Sequence, residues 1–391
     1  MERTLRISMV TETYPPEVNG VARTEALMVE GLSARGHRVQ LVRPRQGPAD
    51  RAAVAPYTEL LRPGFPIPRY ASLRMGLPSR GVLERVWERS RPDVVHIATE
   101  GPLGGSALAA ARALSIPVAT DFHTNFHAYS RHYGAAWLAR AVTAYLRRFH
   151  NRADCTMVPT DEMAQDLARL EFRNLRVVGR GVNAQTFSPA KRDPALRAAW
   201  GADDGTPVAL CVSRFAPEKN FPLVLEAYRA MRAARPETKL VLVGDGPMTA
   251  ALEREALGVV VAGRLVNGAL SAHYASADVF LFPSVTETFG NVTMEPMASG
   301  LGVVAYDYAA ARQHVVHGRS GLLAPVGDRE RFVAHAVSLA CDLPRARALG
   351  RQARAVAEPL GWDKVVRDFE AVLAETAGAP SGALRESHAA A

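Results

Sequence analysis

Short apolar runs rich in valine, isoleucine and leucine alternate along the chain with longer stretches in which apolar residues recur every three or four positions. The first kind reads as buried strands and the second as amphipathic helices, and their alternation is the pattern of parallel strands joined by crossover helices. In the first half it predicts strands at 5–10, 38–43, 93–97, 117–120 and 154–158, with helices near 21–35, 79–90, 103–114, 135–152 and 160–170. Gly36 closes the first helix. Residues 46–70 hold several prolines and no clear period, so a long loop or weak strands are expected there.

After the segment GRGVNAQTFSP (179–189) the rhythm starts afresh, with strands expected at 207–212, 239–243, 259–261, 279–282, 302–306 and 322–324. The fold class that follows is α/β, with two doubly wound, Rossmann-like domains. Residues 1–185 are expected to form the first and 186–361 the second. Residues 362–376 carry apolar positions spaced for one helical face, and 377–391 are small, polar and expected to fray. Ligands of such sheets bind beyond the carboxyl ends of the strands. Two such domains would face a central cleft, and the search for chemistry narrows to strand-to-helix loops.

Length agrees with this division, since 391 residues are long for one core. With 48% apolar and 22% charged residues the composition is that of a soluble globular protein, and no apolar run reaches the roughly 20 residues that cross a bilayer. The start, MERTLRISMV, reads as a first strand and not a leader, so a cytoplasmic protein is expected. Cys155, Cys211 and Cys341 lack metal-ligand spacing and are expected to be small buried apolar residues in a reducing compartment. Charge adds more. Residues 1–180 hold 25 arginines, no lysine and 17 acids, while the remainder balances 22 against 22, so the whole net charge of +8 lies in the first half. A basic half suits nucleic acid, an anionic lipid surface or an acidic substrate.

The richest segment is SVTETFGNVTMEPMASGLGVVAYDY (284–308), which follows a strand. Gly290 and Asn291 should open a helix there, and a helix start is a ready phosphate site. Glu287 before that helix and Glu295 within it are acceptor-only groups suited to sugar and ribose hydroxyls respectively. On spacing alone the plainer account, a loop acid and a solvated helix acid, is the better one. In VSRFAPEKNFPLVLEAY (212–228), Arg214 and Lys219 follow a strand end, where two cations can hold a diphosphate and stabilise the charge that grows on it. Lys219 is one of only four lysines beside 43 arginines, which hints that its compact charge is required.

Glu-x7-Glu with TFGN after the first acid and MASG after the second resembles the donor-site motif of retaining glycosyltransferases of family four, which have the GT-B fold. The loop carrying Arg214 and Lys219 is similar to that family's R-x4-K loop. TYPPEVNGVART (13–24) is similar to its PP-x-x-GG loop, with Asn19 in place of the first glycine and Gly20 left to approach the donor phosphate. TDFHTNFHAYSRHYG (120–134) is especially like the corresponding string of GDP-mannose-dependent α-mannosyltransferases and of sulfoquinovosyl and glucosyl diacylglycerol synthases. The likeness covers nearly the whole chain.

The resemblance implies transfer of a hexose from a nucleotide-diphosphate sugar with retention at the anomeric carbon, without a metal ion or other cofactor. Mannose from GDP-mannose is favoured over a UDP-sugar on the string at 120–134. It implies catalytic roles for His123, Glu287, Arg214 and Lys219. Donor contacts fall to Gly20, Arg214, Lys219, Gly244, Gly263, Arg264, Glu287, Phe289, Gly290, Asn291 and Glu295, with Gly263 and Arg264 near the base. Acceptor contacts are expected from Tyr14, Asn19, Asn125, His127 and Tyr129, and helix 362–376 is expected to cross back to the first domain. The acceptor would be a glycan or a membrane lipid, with an anionic membrane surface as a further partner. Two departures stand out: Pro296 directly after Glu295, and Gly302 where ASGLPVVA is common. Two rivals remain. A non-hydrolysing sugar-nucleotide epimerase shares the layout but not the Glu-x7-Glu and cation set; a nucleic-acid binder would use the basic half, but no motif supports it.

Overall fold

The computed structural model describes residues 3–17, 19–67, 70–123, 136–254 and 258–378. The chain forms two compact units, with breaks between Gly179 and Arg180 and between Trp362 and Asp363.

In the first unit a seven-stranded sheet runs in the order β3-β2-β1-β6-β7-β8-β9, where β1 is Arg6–Val10, β2 Arg38–Pro44, β3 Thr58–Arg62, β6 Val94–Ile97, β7 Val118–Asp121, β8 Cys155–Val158 and β9 Leu175–Val177. Every pairing is parallel. Between β3 and β6 an antiparallel hairpin, β4 (Gly64–Ile67) with β5 (Tyr70–Gly76), stands apart from that sheet. The helices are α1 (Gly20–Ala34), α2 (Arg80–Arg89), α3 (Pro102–Ala113), α4 (Ala136–His150) and α5 (Asp161–Arg169). Strand order reverses between β1 and β6, which makes the ends of β1, β6 and β7 the place where this sheet receives a ligand.

The second unit repeats the plan more regularly. Strands β10 (Val208–Val212), β11 (Lys239–Val243), β12 (Val259–Val261), β13 (Val279–Phe282), β14 (Gly302–Tyr306) and β15 (Gly321–Ala324) pair in parallel in the order β12-β11-β10-β13-β14-β15. Its helices are α6 (Pro194–Ala199), α7 (Phe221–Ala234), α8 (Thr249–Arg254), α9 (Asn267–Ser276), α10 (Asn291–Ala298), α11 (Ala309–His314), α12 (Arg329–Cys341) and α13 (Leu343–Ala357). Alternation along β10 shows why the strands are apolar throughout. Val208, Leu210 and Val212 enter the core on one face of the sheet, and Ala209 and Cys211 the core on the other. The last helix, α14 (Trp362–Gly378), returns to the first unit, where Gly31 of α1 lies so close to Val366 that a β-carbon would stand 2.6 Å from its side chain.

One expectation, that for Cys341, needs correction, and two strands refine the reading of the first unit. Segment 46–70, expected as a long loop or weak strands, contains an edge strand, β3, whose residues TELLR are mostly half-buried and so lack a strong apolar signature. Strand β9 has only three residues and gave no periodic signal. Cys341 is exposed, not buried, because it is the last residue of α12 and faces solvent; Cys155 and Cys211 are buried.

Candidate active site

The switch point of the second unit lies between β10 and β13, and the loops after these strands carry the charged residues. A turn at Pro217–Lys219 follows β10 and is tied to the loop after β13 by a hydrogen bond from the amide of Val285 to the carbonyl of Glu218. This brings Lys219 Nζ to 2.5 Å from Glu287 Oε1, with 15% and 13% of the two side chains exposed. Arg214 pairs instead with Glu218, whose side chain is buried. The backbone carbonyl of Glu287 accepts from the hydroxyl of Tyr308 at 2.7 Å, so both ends of Glu287 are held.

Gly290 caps the start of α10 in the left-handed region, at φ +88°, a conformation in which a side chain is strained. Asn291 opens the helix with its Oδ1 buried, and no partner for that atom is found among the described residues. Phe289 is buried, and its carbonyl accepts from the amide of Ala310 at 2.8 Å. Glu295 is the fifth residue of α10 and buried; Pro296 is the sixth, inside the helix. Gly244, after β11, is tightly enclosed, whereas a β-carbon on Gly263, after β12, would meet open space. At Gly244, with φ +144°, a β-carbon would lie 1.9 Å from the carbonyl oxygen of Ser213. Its amide donates to the carbonyl of Gly263, which has φ +68°, and Arg264 beside it is exposed.

In the first unit Asn19 caps α1. Its Oδ1 accepts from the amide of Ala22 at 2.8 Å and its Nδ2 donates to Thr13 Oγ1 at 2.7 Å. The asparagine in the first glycine position is thus a helix cap, and Gly20 is the first helical residue. Both polar atoms of Asn19 make hydrogen bonds within this loop. Tyr14 is 4% exposed, and its hydroxyl lies 3.2 Å from that of Tyr57. Burial pushes its phenol well above the usual range. Glu12 is buried too, and accepts from the amides of Gly76 and, at 2.8 Å, Leu103. Burial raises its carboxyl against the pull of those amides. Asn125, His127 and Tyr129 lie outside the described residues.

His123, two residues beyond β7, is brought against two carboxylates, with Nε2 3.0 Å from Asp121 Oδ2 and 3.1 Å from Glu25 Oε1. The donor atoms of the three residues lie within 4.8 Å of one another.

The Glycosyltransferase Family 4 pattern matches residues 18–186, and a second, Glycosyl transferases group 1, matches residues 206–342. A GDP-mannose-dependent alpha-mannosyltransferase of Mycolicibacterium smegmatis is 34% identical over 375 residues, 94% of this chain and 98% of that one. The chain belongs to glycosyltransferase family 4. An alpha-monoglucosyldiacylglycerol synthase of Acholeplasma laidlawii is 27% identical over 86% of this chain and 88% of its own. Among solved structures, the sucrose-phosphate synthase of Thermosynechococcus elongatus superposes with a TM-score of 0.75 at 19% identity, over 95% of this chain and 99% of that one, which fixes the fold as GT-B.

As a family 4 glycosyltransferase the protein transfers a sugar from a nucleotide-sugar donor, which settles the choice against the epimerase and the nucleic-acid binder. Glu25 and Asp121, which face His123, were not singled out in reading the sequence. One signal was present. Glu25 falls on the buried stripe of α1, three residues after Ala22 and four before Val29, where an acid is out of place in a surface helix.

Proposed function

We propose that this glycosyltransferase moves mannose from GDP-mannose, with retention and without a metal ion, onto a lipid or lipid-linked acceptor at an anionic membrane surface. The observation that carries the reading is the Lys219–Glu287 pair beside the start of α10. A cation for the leaving diphosphate, a carboxylate for sugar hydroxyls and the helix start converge on one loop cluster of the second unit. Arg214 supplies a second cation there, and Glu295 a carboxylate for the ribose. The choice of guanine and mannose rests on the name of the M. smegmatis relative, and the choice of lipid on that of the A. laidlawii one. Among the described residues no helix is long and apolar enough to cross a membrane, which fits recruitment to a surface.

The reading is tested with GDP, UDP and ADP by thermal shift, and with their sugars by release of nucleoside diphosphate in the presence of membrane lipid extract and EDTA. GDP should stabilise the protein most, and turnover of GDP-mannose should survive the chelator and give an α-linked product by NMR. Stabilisation by UDP alone, or activity abolished by EDTA, overturns the corresponding part.

A further inference from the structure

The surroundings of His123 do more than place it. Its Nε2 is within hydrogen-bond distance of an oxygen of Asp121 and an oxygen of Glu25, and the two carboxylates are 2% and 1% exposed. A ring nitrogen set between two carboxyl oxygens is best matched when it carries a hydrogen, which it can donate to either, because its lone pair would otherwise oppose theirs. The proton therefore belongs on Nε2, and in the neutral ring the lone pair is at Nδ1. The second oxygen of Glu25 faces another ring: His96 Nδ1, on β6, is 3.8 Å from Oε2. His96 is itself fixed edge-on to Phe369 of α14 at 4.8 Å between centroids. Helix α1 and strand β7 thus each set a carboxyl group against one imidazole at the carboxyl end of β7, and His96 of β6 stands behind Glu25.

We propose that Glu25 and Asp121 are positioning residues, which hold His123 in the Nε2–H tautomer and in one ring orientation for its work on the transferred sugar. Contact of the ring with a ligand then runs through Nδ1 or the C–H edge. This rests on the glycosyltransferase reading of His123, and it adds two acids to the machinery that the donor-site motifs do not contain.

The experiment uses the full chain in four forms: wild type, Glu25→Gln, Glu25→Leu and Asp121→Asn. Selective histidine labelling with long-range nitrogen–proton NMR reads the tautomer, and steady-state kinetics with the productive nucleotide sugar reads the role. In the wild type, His123 should show a protonated Nε2. Glu25→Leu should lower kcat about ten- to a hundredfold while the donor KM moves less than about threefold. Glu25→Gln, which keeps the shape and one acceptor oxygen, should recover part of that loss. It also keeps the test open if the leucine variant does not fold. A wild-type His123 with its proton on Nδ1 overturns the proposal, as does unchanged kcat in both Glu25 variants. So does a stoichiometric divalent ion that co-purifies with wild type and is lost from Glu25→Gln, because a metal would then occupy the position of the Nε2 proton. If the wild type turns over no nucleotide sugar, the proposed function fails, while the NMR result still decides the tautomer.

Discussion

Removing either Lys219 or Glu287 leaves the other charged and only 15% or 13% exposed, so neither can be varied alone without cost to its partner. Lys219→Ala should lower kcat/KM about ten- to a hundredfold, the equivalent of about 1.5–3 kcal/mol for a charge-assisted contact. Glu287→Gln should lower it too. The pair predicts that the double variant will lose less than the two single variants together, by at least about 0.5 kcal/mol. Losses that add within about 0.3 kcal/mol would mean the two groups act independently. Both residues were legible in the sequence because the motif names them within one short segment each. Glu25 was not, because its partner His123 is 98 positions away and an acid in a helix ordinarily faces solvent.

At the scale of elements, α14 shows how a helix from the end of the chain is anchored in the first unit. Glu370 accepts from Arg35 Nε at 2.5 Å and from His37 Nε2 at 2.6 Å. The tautomer is set by the other side of the ring, where His37 Nδ1 accepts from the amide of Leu5 at 3.1 Å. Burial alone would raise the carboxyl of Glu370, but the bonds from His37 and Arg35 outweigh it and hold the carboxyl below its ordinary 4.5. A carboxyl depressed in the folded state adds stability that is fully present above its unfolded value and lost as pH falls through the folded one. Glu370→Gln keeps an acceptor and removes the charge. It should therefore lower Tm at pH 7 by the equivalent of about 1–3 kcal/mol, and the gap from wild type should close as pH drops below 4.5. A gap that stays constant to about pH 3 would remove the ionic contribution. The apolar stripe of this helix was readable from spacing; the anchor was not, since its residues lie 333 and 335 positions apart. Edge strand β3 was legible only as a loop or weak strand for a different reason, because a half-buried edge has little apolar pattern to detect.

For the molecule as a whole, the return of α14 changes the distribution of charge. The first unit, with residues 363–391 included, has 27 basic and 22 acidic side chains, a net +5, and the second has 20 against 17, a net +3. Acids of the last segment thus offset part of the basic excess of the first half. What remains is displayed unevenly on α4. Leu146 and Phe149 are buried in the core, as an amphipathic helix requires, while Arg140, Tyr145 and Arg148 are exposed. Arg147 pairs with Glu171, and its charge is partly neutralised by that partner. An anionic membrane would therefore be met by Arg140 and Arg148, each contributing about 1 kcal/mol near such a surface until salt screens it. Flotation with liposomes checks this. Binding should appear with anionic lipid, fall as salt rises, and weaken in an Arg140→Glu, Arg148→Glu variant more than in Arg147→Glu. Equal recovery with neutral and anionic liposomes, or no recovery with either at low salt, would leave a water-soluble acceptor as the substrate that this enzyme must find.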